Sequence, residues 1–141
     1  MEFIKALKSV VAKQKRKSGT RTYYSGSEVY FSRLFGYRLV EKHYLPDERF
    51  AKFISKIFEL LAEGKTLPEI KAYLDEAKAH DSSNNRFSLS RITAIAERPI
   101  YAGFLYQRGR LVKIENLTPI VSLELWKSAQ RQLRVEKKKM I

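Results

Sequence analysis

The side chains with the clearest potential for chemistry lie on one side of a helix predicted between residues 88 and 98. Apolar residues recur there at spacings of three and four, and this inward set is Leu89, Ile92, Ile95 and Ala96. Successive helical residues are displaced by about 100°, so the other side carries Ser90, Arg91 and Ala94. An arginine can contact a guanine edge through two hydrogen bonds, and an alanine methyl can meet the thymine methyl. If this helix enters a major groove, these three residues are the candidates for base contacts.

Further polar and basic residues surround this helix. Asn84, Asn85 and Arg86 precede it and Arg98 ends it, which suits contacts to a nucleic-acid backbone. Basic residues farther along the chain would position a duplex through its phosphates; they are Lys13, Lys15, Arg16, Arg21, Arg108 and Arg110. On charge and periodicity alone, however, the favoured interpretation of Arg91 and Arg98 is that they are solvated surface residues.

The net charge of +13 is unevenly distributed along the 141 residues. Residues 1–25 carry a net charge of +6, and residues 105–141 carry another +6. The middle, residues 26–104, has a net charge of only +1. A nearly neutral centre with cationic ends is typical of a protein that grips nucleic acid around a reading element. The alternative interpretation is that the lysine-rich ends only improve solubility or attract the chain to a membrane surface.

Two further helices are predicted before the one that carries Arg91. The first has an apolar face of Phe50, Phe53, Ile54, Ile57, Phe58 and Leu61 and ends at Gly64. Thr66 and Glu69 have the spacing of a capping box, which predicts a second, short helix directly afterwards. Its inward residues are predicted to be Leu67, Ile70, Tyr73 and Leu74. One long and two short helices give the outline of a helix-turn-helix reader.

Short β-prone segments flank the three helices. Residues 37–40 and 43–45 predict one hairpin, and residues 104–107 and 111–114 predict a second hairpin with a basic tip. After Pro119, a helix capped by Ser122 is predicted, with Trp126 on its apolar face. The expected fold is α+β and mainly α: a helix-turn-helix-like three-helix core, small wing-like β-hairpins and a C-terminal helix. Phe58, Phe87 and Trp126 are predicted to anchor the core.

Several short motifs together resemble one family. They are Ile57-Phe58-Glu59, Glu63-Gly64-Lys65-Thr66, Phe87 at the head of the third helix, residues 95–103, and the outer pieces Phe35-Gly36-Tyr37 and Pro119-Ile120-Val121-Ser122. Their order and spacing resemble the recombinase DNA-binding domain of large serine recombinases, the integrases of phages and mobile elements. Two positions depart from the usual family pattern: Phe87 stands where Trp is common, and Arg98 where Asn is common.

The resemblance implies a division of the chain. Residues 1–18 would be a basic amphipathic helix, the end of the helix that leads out of the catalytic domain. Residues 19–34, rich in serine and glycine, would be a linker strip. Residues 35–135 would form the recombinase-type DNA-binding domain, and residues 136–141 a basic tail. The expected partner is double-stranded DNA, in the form of one arm of an attachment site used for integration or excision.

Catalysis is not expected on this chain. The family cleaves DNA with a serine in a Tyr-x-Arg-x-Ser motif, and the sequence has no such motif. The family also carries a cysteine-ligated zinc ribbon, whereas this sequence has no cysteine. The expectation is therefore a binding fragment of a serine recombinase that is not itself an enzyme. It would be a monomer when isolated and would lack the parent enzyme's catalytic domain and zinc ribbon.

Composition argues against several other classes of protein. Two histidines and no cysteine offer no metal site, and no cofactor is expected. The sequence has no apolar run near 18 residues, so no membrane partner is expected either. The expected location is the cytoplasm of a bacterium or phage host, associated with the nucleoid.

Two other functions fit parts of the pattern. A stand-alone winged-helix transcription regulator would carry its own dimer interface, so its mass in solution would distinguish it from a recombinase fragment. A protein-interaction module would use its basic ends on an acidic partner, and competition with random-sequence duplex DNA would test that function.

Overall fold

The computed structural model describes residues 21–26 and 28–139. Its helices are α1 (Glu48–Ala62), α2 (Leu67–Glu76), α3 (Leu89–Glu97) and α4 (Leu123–Lys139), with a 3₁₀ helix at Pro99–Ala102. Its strands are β1 (Thr22–Ser25), β2 (Glu28–Phe31), β3 (Tyr37–Val40), β4 (His43–Pro46), β5 (Phe104–Gln107) and β6 (Arg110–Lys113). β1 pairs with β2, β3 with β4 and β5 with β6, and each pair forms a separate antiparallel hairpin. The predicted fold class, α+β with helices predominating, is confirmed.

The turn between α1 and α2 forms as the sequence predicts. The Asp47 side chain caps α1 by accepting a hydrogen bond from the Arg49 amide, and Gly64 follows the helix with a φ of +90°. The predicted capping box is present: Thr66 Oγ1 accepts from the Glu69 amide at 3.2 Å, and Glu69 Oε1 accepts from the Thr66 amide at 2.9 Å. These caps fix where α2 begins and therefore which of its faces meets the core.

The prediction that Tyr73 of α2 faces the core is wrong. Tyr73 is 43% exposed, whereas Leu67, Ile70 and Leu74 are buried. The three buried residues already define the inward direction, and at about 100° per residue Tyr73 lies close to a right angle from it. The tyrosine ring contacts Lys56 of α1 instead, whose Nζ lies 5.3 Å from the ring centroid.

The core lies where α1, α3 and α4 meet. α4 packs along α1 and against α3, and it presents Trp126, Ala129 and Leu133 to the interior. Phe58 is buried with its ring centre 6.3 Å from that of Tyr101 in the 3₁₀ helix, and Phe87 is buried with its ring centre 5.8 Å from that of Phe35. The three predicted aromatic anchors, Phe58, Phe87 and Trp126, are thereby confirmed as core residues.

The hairpin β1–β2 replaces part of the expected linker strip. Val29, Tyr30 and Phe31 are buried, although glycine and serine nearby predict an extended connection. The physical reason is the buried side chain of Asn116. Its Oδ1 accepts from the Val29 amide and its Nδ2 donates to the Val29 carbonyl, both at 2.9 Å. This pair satisfies the backbone of an edge strand, which would otherwise be left without partners.

The chain end also differs from the expected basic tail. α4 continues to Lys139, and Glu136 is only 4% exposed. Its Oε1 accepts a hydrogen bond from the Leu67 amide at 2.7 Å, at the first turn of α2. Because this contact anchors the end of α4 to the helical core, residues 136–139 belong to the folded domain.

The predicted hairpins β3–β4 and β5–β6 are both present. β4 is also tied to the segment before α4, because the Tyr44 amide donates to the Asn116 carbonyl and the Thr118 amide donates to the Tyr44 carbonyl. Every helix in residues 21–26 and 28–139 is too short or too polar to cross a bilayer. The same residues contain no cluster of His, Asp and Glu arranged to hold a metal ion.

Candidate nucleic-acid interface

The side of α3 that faces away from the core carries the three predicted base-contacting residues. Ser88 caps the helix by accepting from the Arg91 amide at 3.1 Å, and Ile92, Ile95 and Ala96 are buried. Ser90 and Ala94 are exposed, and the Arg91 side chain keeps 42% of its surface accessible. The helix therefore presents a short polar face to any molecule that approaches it from outside.

Arg91 is held in place by two neighbours. Its guanidinium carbon lies 5.1 Å from the centre of the Phe35 ring, within the range of a cation–π contact. Its Nη1 lies 3.8 Å from Asp81 Oδ2, at the outer limit of an ion pair. An aromatic ring fixes the plane of a guanidinium without using its N–H groups. Arg91 is thus oriented while several of its N–H groups have no hydrogen-bond partner in the part of the chain that the structure describes.

The ring that supports Arg91 is itself fixed on several sides. Phe35 packs against Phe50 at 5.1 Å and Phe87 at 5.8 Å between ring centres. Its carbonyl accepts a hydrogen bond from the Tyr101 hydroxyl at 3.0 Å. Burial raises the pKa of Tyr101, so this hydroxyl stays a neutral donor at physiological pH. The position of Arg91 therefore depends on the packed interior.

Asp81 is fixed by the loop that leads into α3. Its Oδ1 accepts hydrogen bonds from the amides of Ser83 at 2.9 Å and Asn85 at 3.0 Å. These bonds close a tight turn in which Asn84 has a φ of +64°. The loop therefore presents a fixed carboxylate to Arg91.

An open groove runs beside α3, between this helix and the segment before β3. We call it the α3 groove, and its lining includes Arg33, Phe35, Arg49, Asp81, Arg91 and Arg98. Arg33 and Arg49 are basic residues that the sequence reasoning did not assign to a site. Arg49 makes two contacts with Asp47, at 3.1 and 2.8 Å, and this hydrogen bonding lowers the pKa of Asp47 and raises that of Arg49.

The other predicted backbone contacts are spread around α3. Asn84, Asn85 and Arg86 are exposed at its N-terminal side, and Arg86 Nη1 donates to the Asp75 carbonyl at 2.8 Å. Arg98 follows α3 and lines the α3 groove. Arg98 therefore shares a groove lining with Arg91 and Ala94, whereas Asn84, Asn85 and Arg86 lie outside that lining, in the loop before α3.

Three more predicted contacts lie farther from α3 in the chain. Arg108 and Arg110 are exposed at the turn of hairpin β5–β6 and lie outside the lining of the α3 groove. Arg21 is exposed just before β1, where its amide donates to Ser32 Oγ at 2.8 Å. The predicted phosphate contacts Lys13, Lys15 and Arg16, like the whole amphipathic helix expected over residues 1–18, lie outside the described residues.

Comparison with known proteins identifies the family. A family model described as Recombinase matches residues 48–136, from the start of α1 almost to the end of α4. The chain belongs to the Recombinase family. The resemblance to a recombinase family is thereby confirmed, and the matched range contains α3 and its exposed face. A search of curated proteins gave no match.

Two solved structures share the fold of this Recombinase-family chain. The first is a crystal structure of an LSR–DNA complex, with a TM-score of 0.60 and 19% identity over 76% of this chain. The second comes from work on the sequence requirements of the Listeria innocua prophage attP site, with a TM-score of 0.60 and 17% identity over 94% of this chain. The match spans 33% and 49% of those two chains, respectively.

Proposed function

We propose that this chain is the part of a large serine recombinase that recognises one arm of an attachment site in double-stranded DNA. The observation that carries the proposal is the exposed face of α3. Ser90, Arg91 and Ala94 point away from the core, and Arg91 is already oriented by the Phe35 ring. The family membership and a fold shared with a recombinase–DNA complex support the same function.

In this proposal α3 enters the major groove. Arg91 donates two hydrogen bonds to the O6 and N7 atoms of a guanine, Ala94 meets a thymine methyl, and Ser90 contacts a neighbouring base edge. The 3.8 Å contact between Arg91 and Asp81 is long, so exchange of this carboxylate for a guanine edge costs little. The contact with Phe35 is kept throughout and limits the loss of side-chain entropy on binding.

Contacts to phosphates set the orientation of the duplex. Arg98 lines the α3 groove together with Arg91, and Arg33 and Arg49 extend the positive charge along it. Asn84, Asn85 and Arg86 would contact phosphates from the loop that precedes α3. Arg21, Arg108 and Arg110 would reach more distant phosphates, and Lys13, Lys15 and Arg16 would add contacts from the N-terminal segment. None of these contacts distinguishes one base from another.

In this proposal, DNA cleavage is carried out by another domain of the same enzyme. The proposed role of this chain is to hold one arm so that a catalytic serine on that domain meets the crossover point. The chain alone is proposed to bind as a monomer, without a metal or cofactor, to DNA in a bacterial or phage-infected cytoplasm.

The test begins with selection of a preferred duplex from a random-sequence pool, using the 141-residue chain. Arg91→Ala should then lose about 1–3 kcal/mol of discrimination between this duplex and a random one, because a bidentate base contact is removed. Lys52→Ala is the matched control, since Lys52 is an exposed cation on α1 that lies outside the lining of the α3 groove. Unchanged site preference in Arg91→Ala would contradict the proposal.

A further inference from the structure

A second cationic groove lies between α4 and the end of α3. We call it the α4 groove, and its lining includes Glu97, Tyr106, Lys127, Arg131, Arg134 and Lys137. Lys127, Arg131 and Arg134 follow one another at spacings of four and three, so they form one stripe along the helix. All three are exposed. The carboxylate in this lining is that of Glu97, and Lys137 Nζ neutralises it at 2.8 Å.

The two grooves meet at a common edge. Glu97 and Tyr106 line both the α3 groove and the α4 groove. Gln130 Nε2 donates to the Ala96 carbonyl at 2.7 Å, which fixes α4 against the last turn of α3. The basic stripe on α4 therefore has a fixed position relative to the face formed by Ser90, Arg91 and Ala94.

The form of this groove favours a polyanion over a small anion. At 1.5 Å per residue, Lys127 and Arg134 are about 10 Å apart along the helix, and the groove is open. Phosphates advance about 3.4 Å per nucleotide along the axis of one strand, so a row of this length can face several phosphates at once. Tyr106 is 57% exposed and stands edge-on against Trp126 at the junction, where a sugar or base face would pass.

We infer that the α4 groove binds the sugar-phosphate backbone of the DNA that flanks the segment read by α3. This inference rests on the proposed function and extends it. It adds Lys127, Arg131 and Arg134 as contacts that position the duplex beyond the base-reading helix. Such contacts add affinity but no base preference, so the length of the duplex and not its flanking sequence should matter.

The test compares two pairs of substitutions that remove the same charge. Arg131→Gln with Arg134→Gln changes the α4 groove, and Lys52→Gln with Lys65→Gln changes exposed lysines that line neither groove. On a duplex with long flanks, the groove pair should weaken binding on the order of tenfold. It should also reduce the slope of log affinity against log salt by about 1.8. The control pair should change affinity by less than about twofold.

Duplex length and phosphate charge make the test specific. On a duplex trimmed to the bases that α3 requires, the groove pair should bind as the wild type does. Neutral methylphosphonates in the flanking backbone should weaken the wild-type chain but not the groove pair. Equal effects of the two pairs, or equal weakening on long and trimmed duplexes, would overturn the inference.

The two proposals fail in distinguishable ways. If the wild-type chain binds and Arg91→Ala loses site preference while the groove pair behaves like the control pair, only the α4 groove inference is wrong. If the wild-type chain shows no salt-dependent binding to any duplex, the proposed function and this inference are both wrong. Far-UV circular dichroism and thermal unfolding of each variant confirm that the comparison is between folded proteins.

Discussion

Gly36 lies where the segment that carries Phe35 crosses α1. Its φ is +93°, a conformation that side chains other than glycine rarely adopt, and an added Cβ would collide with Ile54 Cδ1. Its carbonyl also accepts a hydrogen bond from the Asp47 amide at 2.7 Å, just before α1 begins. The glycine therefore lets the backbone pass close to a fully buried isoleucine, and the support of Arg91 depends on this close approach.

Gly36→Ala should consequently destabilise the fold by about 2–4 kcal/mol, because backbone strain and overpacking add. Gly64→Ala is the matched control: its φ is +90°, but a Cβ there meets nothing within 4 Å. That variant should lose only about 1–2 kcal/mol from strain. Urea unfolding followed by circular dichroism measures both values. Equal losses would show that the contact with Ile54 is unimportant.

At the residue scale, periodicity predicts which side chains of α3 are exposed but not what they touch. The three-residue spacing of Leu89, Ile92 and Ile95 is sufficient to place Ser90 and Arg91 outward. The contact between Arg91 and Phe35 joins residues that are far apart in the chain, and Phe35 sits in a segment without helical or strand pattern. Only the packing of Phe35 between Phe50 and Phe87 brings that ring beneath the arginine.

At the scale of elements, α4 fixes the start of α2. Glu136 Oε1 accepts from the Leu67 amide at 2.7 Å, and Gln132 Nε2 donates to the carbonyls of Gly64 and Lys65, both at 3.2 Å. The first amides of a helix, and the carbonyls of the turn before it, have no partners within the helix itself. Here side chains of α4 supply those partners for α2. The turn between α1 and α2 therefore depends on the last two turns of α4.

This link predicts a dependence of stability on pH. Burial raises the pKa of Glu136, but the Lys139 ammonium and the Leu67 amide outweigh it and leave the pKa lowered. Because the pKa of Glu136 is lower in the folded state, its ionised carboxylate stabilises the fold fully above the unfolded pKa of about 4.3. This stabilisation is lost as the pH falls through the folded pKa. Glu136→Gln should therefore reduce the loss of stability between neutral pH and pH 3. At neutral pH it should cost about 1–2 kcal/mol.

Unfolding in urea at a series of pH values tests this prediction. Glu124→Gln is a suitable control, because Glu124 is an exposed carboxylate in the first turn of the same helix. Its pH profile should match that of the wild type. If Glu136→Gln also has the wild-type profile, the buried carboxylate does not contribute to the acid sensitivity of the fold.

Elements with a complete local signal were predictable, and those completed by distant residues were not. The capping box at Thr66 and the periodic face of α1 are each encoded within one turn or one helix, and both form as predicted. Hairpin β1–β2 has serine and glycine around short apolar segments, which resembles a linker. It is completed by Asn116, which lies 87 residues beyond Val29. Composition within one segment cannot reveal such a partner.

At the scale of the whole molecule, the acidic residues beside the two grooves each hold a cation. Asp47 pairs with Arg49, Asp81 with Arg91, and Glu97 with Lys137. Such pairs contribute little to stability at an exposed surface, but they orient the cations before a ligand arrives. On binding to a duplex, these cations would leave their carboxylate partners for phosphates or base edges. A duplex that fits poorly would not replace the lost contacts, so its affinity would be lower.

The uneven charge predicts how strongly salt weakens DNA binding. If the proposed contacts neutralise about eight phosphates, log affinity should fall against log salt with a slope of about −7. A shortened chain that starts at Gly19 lacks Lys13, Lys15 and Arg16, so its slope should be shallower by about 2.7. The core residues that the structure describes start at Tyr23, so this shortened chain should still unfold cooperatively. Titrations from 50 to 300 mM salt measure both slopes. A slope near zero would contradict the electrostatic mechanism, and equal slopes would show that the N-terminal segment makes no phosphate contacts.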